Sequence, residues 1–263
     1  MQLMKFTKLV YSTKYGSCVS IQTNLRDLEN RLNSHLPPQT QRVEDSNADE
    51  EFIVLAHGED KYSLHHGSKL LATPFSLAVA LEVLESEWHS AIALHASPFL
   101  FVHAGVVGWK GKAIIIPGRS MSGKTSLVVA LLKAGAKYYS DEYAVFDESG
   151  YVHPYPKPLS VRRLSNIGNR KYDFSEFGGQ IGRHPVPVAL IVSTRYDEQT
   201  FWEPQRVTDG QAVLRLLENT ICARTRIQYA IKLFSYVTER ALAIDGNRPS
   251  GERIASSLLE LCY

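Results

Sequence analysis

The residues best suited to chemistry form a short segment, 118–125, that reads Gly-Arg-Ser-Met-Ser-Gly-Lys-Thr. It fits the pattern Gly-x-x-x-x-Gly-Lys-Ser/Thr, in which glycines let the backbone curve closely around phosphate groups and turn its N–H groups towards them. An apolar strand is predicted before this segment, at 113–116, and an apolar helix after it, at 126–132. This order of strand, turn and helix is typical of a nucleotide-phosphate site. We call residues 118–125 the glycine-rich motif.

Two side chains of the glycine-rich motif have a specific predicted role. Lys124 is expected to reach the β- and γ-phosphates as a point charge, and the Thr125 hydroxyl is expected to coordinate Mg²⁺. The start of the following helix adds the positive end of its dipole. ATP and Mg²⁺ are therefore the predicted cofactors. The residues expected to bind the nucleotide are Gly118, Arg119, Ser120, Met121, Ser122, Gly123, Lys124, Thr125 and Ser126.

An acidic pair, Asp141-Glu142, follows the predicted helix and the short segment 138–140. We expect it at the end of a strand next to strand 113–116, where ligands of open α/β sheets collect. Two adjacent carboxylates at that position can hold Mg²⁺ and accept the proton of an attacking hydroxyl. A solvated acidic turn is the alternative, since Asp and Glu are common in loops. The nearby glycine-rich motif favours the functional interpretation.

The stretch 103–145 resembles the catalytic domain of the HPr kinase/phosphorylase family. That family has a His-Gly-Val element, a short hairpin, a phosphate-binding loop, a helix ending in Gly, and then a pair of acidic residues. The corresponding residues here are His103-Ala104-Gly105-Val106-Val107, the glycine-rich motif, Gly135 and Ser140-Asp141-Glu142, at the spacings of the family. The resemblance is close over this stretch and looser over the rest of the chain towards residue 263.

The resemblance implies an α/β fold with a phosphate-loop core related to phosphoenolpyruvate carboxykinase, preceded by a smaller mixed region. It also implies that Lys124 binds phosphate, that Thr125 and Asp141 hold the metal, and that His103 lies beside the reacting phosphate. The general base falls on Glu142, and Asp141 is the alternative or shares that role. Without the resemblance, a lone histidine on an apolar strand is more often a hydrogen-bonded core residue.

The sequence departs from the family's pattern at three places. Thr125-Ser126 stands where the family usually has Ser-Glu, and Glu142 is one methylene longer than the family's second Asp. The nearest counterpart of the family's Glu-Ile-Arg-Gly segment is Ser160-Val161-Arg162-Arg163, which keeps an arginine but lacks the metal-binding glutamate. The Arg162 guanidinium is predicted to stabilise charge on the transferred phosphoryl group. An ordinary surface pair with Arg163 is the alternative.

The composition fits a soluble globular protein: 44% of the 263 residues are apolar and 21% are charged. The formal net charge of +2 gives no sign of a nucleic-acid partner or an anionic membrane. Three cysteines far apart in sequence predict neither a disulfide framework nor a zinc site, which favours a cytoplasmic location. The start lacks the apolar core of a signal peptide, and no stretch approaches the roughly 20 apolar residues of a membrane span.

The pattern of predicted elements changes near residue 91, which suggests two regions. Residues 1–90 are predicted as an α+β region, and residues 91–263 as the phosphate-loop kinase domain. In the first region we expect strands at 5–15, 51–55 and 61–64, helices at 24–36 and 76–88, and an exposed loop near 37–51. In the second we expect a hairpin of 99–107 with 112–117, strands at 143–146, 187–193 and 241–244, and helices at 209–218, 227–238 and 249–261.

The predicted function is an ATP-dependent kinase acting on a serine-type hydroxyl of a peptide or protein. The N-terminal domain of the bacterial HPr enzyme is not recognisable in 1–90, so the chain resembles an HPr-kinase-related protein and not that enzyme itself. In size and pattern it resembles the kinases of lasso-peptide gene clusters, and this resemblance implies the C-terminal serine of a precursor peptide as the preferred acceptor. A kinase of a small molecule such as free serine, and an ATP-binding regulatory module without transfer, are the alternatives. The predicted partners are the substrate and other copies of the chain, since the HPr enzyme is hexameric; nucleic acid and membrane are not expected.

Overall fold

The computed structural model describes residues 6–44, 46–58, 60–118, 122–162 and 169–262, with the backbone alone at 72, 74–75, 160–162 and 169–171. The chain divides into two compact units, the first ending at Pro98 and the second beginning at Phe99. The boundary expected from the sequence, between 90 and 91, falls inside a helix, Leu77–His95. In the part of the chain so described, no helix is long and apolar enough to cross a membrane. The three cysteines are buried and free of disulfides.

The first unit contains one sheet with the strand order β3-β1-β2-β4-β5-β6. Its elements are β1 (Thr7–Thr13), β2 (Cys18–Thr23), α1 (Leu28–Leu32), β3 (Thr40–Val43), β4 (Glu50–Ala56), β5 (Tyr62–His66), β6 (Lys69–Phe75) and α2 (Leu77–His95). Helix α2 buries Leu84, Trp88 and Ile92, which are spaced four residues apart and so share one helix face. The Trp88 ring packs against Tyr11 of β1 at 5.1 Å between centroids.

The helix predicted over 24–36 is a single turn, α1, and its length was predicted wrongly. Asn24 does not cap a helix, because its side chain both donates to the Ala56 carbonyl (3.0 Å) and accepts from the Ala56 N–H (2.8 Å). That pair of bonds ties the segment to the end of β4. Leu28 and Leu32 are fully buried, so the leucine spacing correctly indicates which residues enter the core.

The loop predicted near 37–51 contains the edge strand β3. Its four residues pair with β1 in antiparallel register, from Thr13 opposite Thr40 to Val10 opposite Val43. The strand is polar because it is only partly buried and lies at the edge of the sheet, where charged side chains discourage further strand pairing. A pattern based on apolar alternation therefore overlooks it.

The second unit is built on a larger sheet with the order β11-β10-β7-β8-β14-β16-β15, and β9 pairs with β7. A separate hairpin, β12 with β13, accompanies it. The elements are β7 (Leu100–Trp109), β8 (Lys112–Pro117), α3 (Lys124–Lys133), β9 (Lys137–Ser140), β10 (Tyr143–Phe146), β11 (Tyr151–His153), β12 (Leu159–Arg162), β13 (Asn169–Tyr172), a 3-10 turn (Phe174–Phe177), β14 (Val186–Tyr196), β15 (Gln205–Arg206), α4 (Asp209–Glu218), α5 (Ile227–Thr238), β16 (Leu242–Arg248) and α6 (Gly251–Glu260).

Helices cover both faces of this sheet. Side chains of α3 and α6 form one buried cluster with β8, including Leu127, Ile114 and Leu258. Side chains of α4 and α5 form a second cluster on the other face, including Leu216 and Phe234. Helices α4 and α5 and strand β10 have the bounds that the sequence predicts. Both helices have a clear apolar period, and Thr208 and Gln211 form a capping box at the start of α4, whereas β10 is a short run of four buried residues. The α/β class is thereby confirmed.

Strand β7 and helix α3 approach each other at a glycine. A Cβ atom added to Gly105 would lie 2.7 Å from Cγ2 of Val128 and 3.7 Å from Cβ of Lys124. Val128 is fully buried and its branched side chain has little rotational freedom in a helix, so it cannot turn away. The missing side chain at position 105 therefore sets how closely the first turns of α3 approach the sheet.

We expect Gly105→Ala to destabilise the second unit by about 1–3 kcal/mol, because the added methyl group overpacks this contact. Urea denaturation followed by hydrogen exchange in peptides of β7 and α3 measures this unit alone. Gly210→Ala is the matched control, since a Cβ there meets no atom within 4 Å. An unchanged transition midpoint in Gly105→Ala would contradict the close packing described here.

Candidate functional site

The glycine-rich motif connects the end of β8 to the start of α3. Gly123 directly precedes the helix with φ of 84°, a left-handed conformation that favours glycine. At Gly118 a Cβ atom would lie 2.7 Å from the Ser122 hydroxyl oxygen, so a larger residue would disturb the turn. The N–H of Gly118 donates to the carbonyl of His103 (3.1 Å), which fixes the start of the turn against β7. Arg119, Ser120 and Met121 lie outside the described residues.

A buried arginine is hydrogen-bonded to the last residue before helix α3. Arg248, the last residue of β16, is 1% exposed. Its Nη2 donates to the Gly123 carbonyl (2.8 Å) and its Nη1 to the Pro249 carbonyl (3.1 Å). This places a guanidinium charge next to the N-terminus of α3, where the helix dipole already favours anions. Sequence reasoning missed Arg248, because a single arginine at the end of a strand carries no local pattern.

The acidic pair lies in a different place from the one predicted. Strand β9 pairs with β7 and not with β8, because β7 and β8 form a hairpin and β7 occupies that edge of β8. Strands β9 and β10 both run along the far edge of β7, with Ser140 opposite Val106 and Tyr143 opposite His103. Asp141 and Glu142 therefore link two strands that pair with β7 in one register, and β7 separates them from β8.

Ser140 fixes the backbone that follows it. Its buried hydroxyl oxygen accepts from the N–H of Glu142 (3.2 Å) and from the N–H of Tyr143 (3.0 Å). A serine that bonds to the backbone two and three residues ahead forms a local turn. The Ala104 N–H of β7 still donates to the Glu142 carbonyl at 3.2 Å, so the contact with β7 is kept. The turn presents both carboxylates beside the glycine-rich motif.

Asp141 is joined directly to the glycine-rich motif. The Thr125 hydroxyl donates to Oδ2 of Asp141 at 2.8 Å, across a separation of 16 residues. Oδ1 of Asp141 is buried and has no hydrogen-bond partner among the described residues. Burial raises the pKa of Asp141 to about 7, against the lowering effects of the Thr125 hydrogen bond and the Lys124 charge.

Lys124 and His103 are both partly withdrawn from water. Burial lowers the pKa of Lys124, and the charges of Asp141 and Glu142 oppose that effect. Burial also lowers the pKa of His103 from its ordinary value of 6.5, with a further lowering by Lys124 and an opposing effect of Glu142. The lowered pKa favours the neutral form of His103, so Lys124 and Lys157 are the cations near the two carboxylates.

Two side chains lie near Glu142. Its Oε1 lies 3.9 Å from Nδ1 of His103, and its Oε2 lies 3.4 Å from Nζ of Lys157. The Tyr138 hydroxyl donates to the carbonyl of Lys157 at 2.6 Å and so fixes the segment that carries this lysine. Lys157 stands between two prolines, which restrict the backbone around it. That signal was visible in the sequence, but it did not indicate contact with Glu142.

The structure thus gathers five of the predicted site residues in one region: His103, Lys124, Thr125, Asp141 and Glu142. The side chain of Ser126 is exposed on the first turn of α3. Arg162 ends strand β12, and only its backbone is described. The role expected for Arg162 stays a prediction, and its neighbour Arg163 lies outside the described residues.

The donor set around Asp141 fits a magnesium ion. The buried Oδ1 of Asp141 has no partner in the described part of the chain, and the Thr125 hydroxyl lies next to the same carboxylate. Mg²⁺ is usually held in nucleotide sites by one or two protein oxygens, with phosphate and water filling the other positions. Among the described residues, no three His, Cys, Asp or Glu side chains form a metal cage, so a bound metal would need such outside ligands.

A cavity of about 650 Å³ opens on the other side of the glycine-rich motif. It lies beyond the carboxyl ends of three parallel strands, β8, β14 and β16, where ligands of open α/β sheets bind. Its lining is polar, and the end of α4 closes one side. The lining residues are Pro117, Gly118, Ser122, Ser193, Thr194, Arg195, Arg215, Glu218, Asn219, Asp245 and Asn247.

Comparison with protein-family models finds no match. Comparison with curated proteins also finds none. Among solved structures, the chain is similar to the Hpr(Ser) kinase/phosphatase from Coxiella burnetii, with 15% sequence identity and a TM-score of 0.31. The similarity covers 61% of this chain and 92% of that one. The sequence resemblance noted above is to the family that this protein's name gives. The TM-score is too low to support that resemblance further.

The raised pKa of Asp141 predicts how stability depends on pH. Between about pH 4 and pH 7, Asp141 holds a proton in the folded protein but has released it in the unfolded chain. The contribution of Asp141 to the free energy of unfolding therefore falls as the pH rises through this range. Asp141→Asn lacks this contribution. The stability of the wild type relative to Asp141→Asn should therefore decrease across that window, measured by urea denaturation at several pH values.

A second variant tests how the hydrogen bond from Thr125 affects the pKa of Asp141. Thr125→Val removes the hydrogen bond that lowers the pKa of Asp141, so the decrease should extend to higher pH. A stability difference that stays constant from pH 4 to pH 8 would show that Asp141 is not buried as described.

Proposed function

We propose that the chain is an ATP-dependent kinase that transfers the γ-phosphate to a serine-type hydroxyl of a peptide or protein. The observation that carries this proposal is the 2.8 Å hydrogen bond between Thr125 and Asp141. It joins the glycine-rich motif to the acidic pair, although a strand separates their parent elements. Phosphates bound at the motif would meet a lysine, a hydroxyl and two carboxylates, the groups that phosphoryl transfer uses.

The two carboxylates suit two different tasks. Asp141 is buried against Thr125, which suits a metal ligand and leaves little room for a second substrate. Glu142 is about 40% exposed in its side chain, and its oxygens lie 3.4 Å from Lys157 Nζ and 3.9 Å from His103 Nδ1. Glu142 can therefore meet an acceptor hydroxyl that arrives from solvent. We assign the metal to Asp141 and Thr125, and the role of general base to Glu142.

In the proposed reaction, the backbone amides of the motif and Lys124 hold the phosphates, and Arg248 keeps the turn in shape. A bound Mg²⁺ would neutralise charge that develops on the phosphate oxygens. The acceptor oxygen forms a bond to the γ-phosphorus while the bond to the β-phosphate oxygen breaks. Glu142 takes the proton of the acceptor hydroxyl, and ADP leaves with the electron pair of the broken bond. Such catalysis is mostly positioning and charge stabilisation.

The exposure of the base favours a large acceptor. The side chains of Glu142 and His103 are 40% and 37% exposed, which suits a chain end or loop better than a metabolite that must be enclosed. The C-terminal serine of a lasso-peptide precursor is the acceptor we favour. The proposal also takes the protein to be a cytoplasmic homo-oligomer that acts on neither nucleic acid nor membranes.

Lys124→Ala should reduce phosphate transfer at least a hundredfold, because the variant loses the cation that meets the phosphates. Mass spectrometry of three acceptors incubated with Mg²⁺ and ATP measures this: a serine-ending precursor peptide, an HPr-type protein and free serine. Transfer to the peptide or the protein is expected.

Lys133→Ala is the matched control for this experiment. Lys133 lies at the end of the same helix, is half exposed and pairs with Glu252. This variant should transfer phosphate at the wild-type rate. If Lys124→Ala also does so, the mechanism is wrong; transfer to free serine alone would make the protein a small-molecule kinase.

Glu142→Gln should lower kcat by about 10²–10⁴-fold while ATP affinity changes little, because general-base catalysis contributes about that much. Steady-state kinetics with the acceptor identified above, together with ATP titration, separates the two effects. Glu148→Gln, at an exposed turn position, is the control. A Glu142→Gln enzyme with normal kcat would move the role of base to another group.

A further inference from the structure

The cavity beyond β8, β14 and β16 lies opposite the acidic pair. Strand β8 pairs with β7 along one edge and with β14 along the other, and the glycine-rich motif leaves from its end. Asp141 and Glu142 lie beyond the β7 edge, whereas most of the cavity wall comes from β14, β16 and the end of α4. Asn219 of that wall reaches back to β7, since its carbonyl accepts from the His103 N–H at 2.7 Å. The motif thus separates two places, and Gly118 and Ser122 belong to both the motif and the cavity wall.

This arrangement gives a bound nucleotide a direction. Its terminal phosphate must face Lys124, Asp141 and Glu142 if phosphate is to be transferred. The opposite end of the nucleotide then points away from the acidic pair, towards the β14 side. We propose that the cavity receives the nucleoside, base and ribose, of the nucleotide whose phosphates the motif binds. This inference rests on the proposed function.

The charges of the lining suit a neutral polar group better than an anion. Arg215 is already neutralised, since its guanidinium lies 2.9 Å from Oδ2 of Asp245 and 3.9 Å from Oε2 of Glu218. Arg195 stands exposed at the rim, where it can meet the phosphate that joins ribose to the motif. The interior of the cavity therefore offers hydrogen bonds more than net charge.

Three polar groups of the lining are available to a nucleoside. Thr194 Oγ1 is buried and has no hydrogen-bond partner among the described residues, an arrangement that costs free energy unless a ligand or water supplies the bond. Asp245 gives one oxygen to Arg215, which leaves the other for a ribose hydroxyl. The Asn247 amide can both donate to and accept from a base edge. The cavity volume is within the range of about 300–1,000 Å³ that small-molecule sites occupy.

The test compares two ligands that share phosphates but differ in the nucleoside. Dissociation constants of ATP and of inorganic tripolyphosphate are measured by calorimetry for the wild type, Thr194→Val and Asn247→Ala. Both variants should weaken ATP binding about five- to tenfold, the effect of one lost hydrogen bond. Tripolyphosphate binding should stay within twofold of the wild type. Thr194→Val keeps the shape of the side chain, so the fold is retained.

Three results would overturn the proposal. Equal losses for both ligands would mean that the variants disturb the motif itself. Unchanged ATP affinity in both variants would remove the nucleoside from the cavity. Unchanged ATP affinity with a raised KM for the acceptor would assign the cavity to the acceptor. Lys124→Ala separates this test from the proposed function, since it should weaken both ligands; if it weakens neither, the phosphate site itself is wrong.

Discussion

The site depends on the absence of a side chain at Gly105. Strand β7 lies between the strand that leads into the glycine-rich motif and the strands that carry the acidic pair. Lys124 and Thr125 can reach across β7 only if helix α3 begins close to the sheet, and a Cβ at position 105 would meet Val128 at 2.7 Å. The hydrogen bond from Thr125 to Asp141 is the result of that close approach. A packing constraint in the core therefore sets the geometry of the polar groups.

Placing these groups together has an electrostatic cost. Burial penalises the charged forms of Asp141, Lys124 and His103, as the directions of their pKa shifts indicate. The attraction between Lys124 and the two carboxylates offsets part of this penalty. Lys124 begins helix α3, and Arg248 bonds to the carbonyl of Gly123 just before it. These two fixed cations give a bound anion a favourable electrostatic potential without any rearrangement of the protein. Groups with such strongly shifted pKa values are more consistent with a binding site than with ion pairs that stabilise the fold.

The sequence was informative where one local rule acts alone. Helices α4 and α5 follow from their apolar period and their flanking residues, and the hairpin β7–β8 follows from two apolar runs around a turn. The motif and the acidic pair were found, and they do lie together, as the hydrogen bond from Thr125 to Asp141 shows. The strand next to the pair was predicted wrongly, because nothing local says that β9 pairs with β7 and not with β8. Edge strand β3 was read as a loop because its polar residues suit an edge. Arg248 and Lys157 act through contacts far along the chain, 125 residues away in the case of Arg248 and Gly123, and no spacing rule reveals such contacts.

The glycine-rich motif divides the candidate site into two sides with different chemistry. The β7 side holds the titratable groups that can activate a hydroxyl and meet a metal, and the glutamate there is open to solvent. The β14 side holds amides, a buried hydroxyl and an arginine already paired with carboxylates. A phosphate donor has two chemically distinct ends, one reactive and one that only needs to be recognised, and these two sides match those two ends. In the proposed arrangement the reactive end would face the partly exposed Glu142, and an acceptor could arrive and depart without displacing the nucleoside.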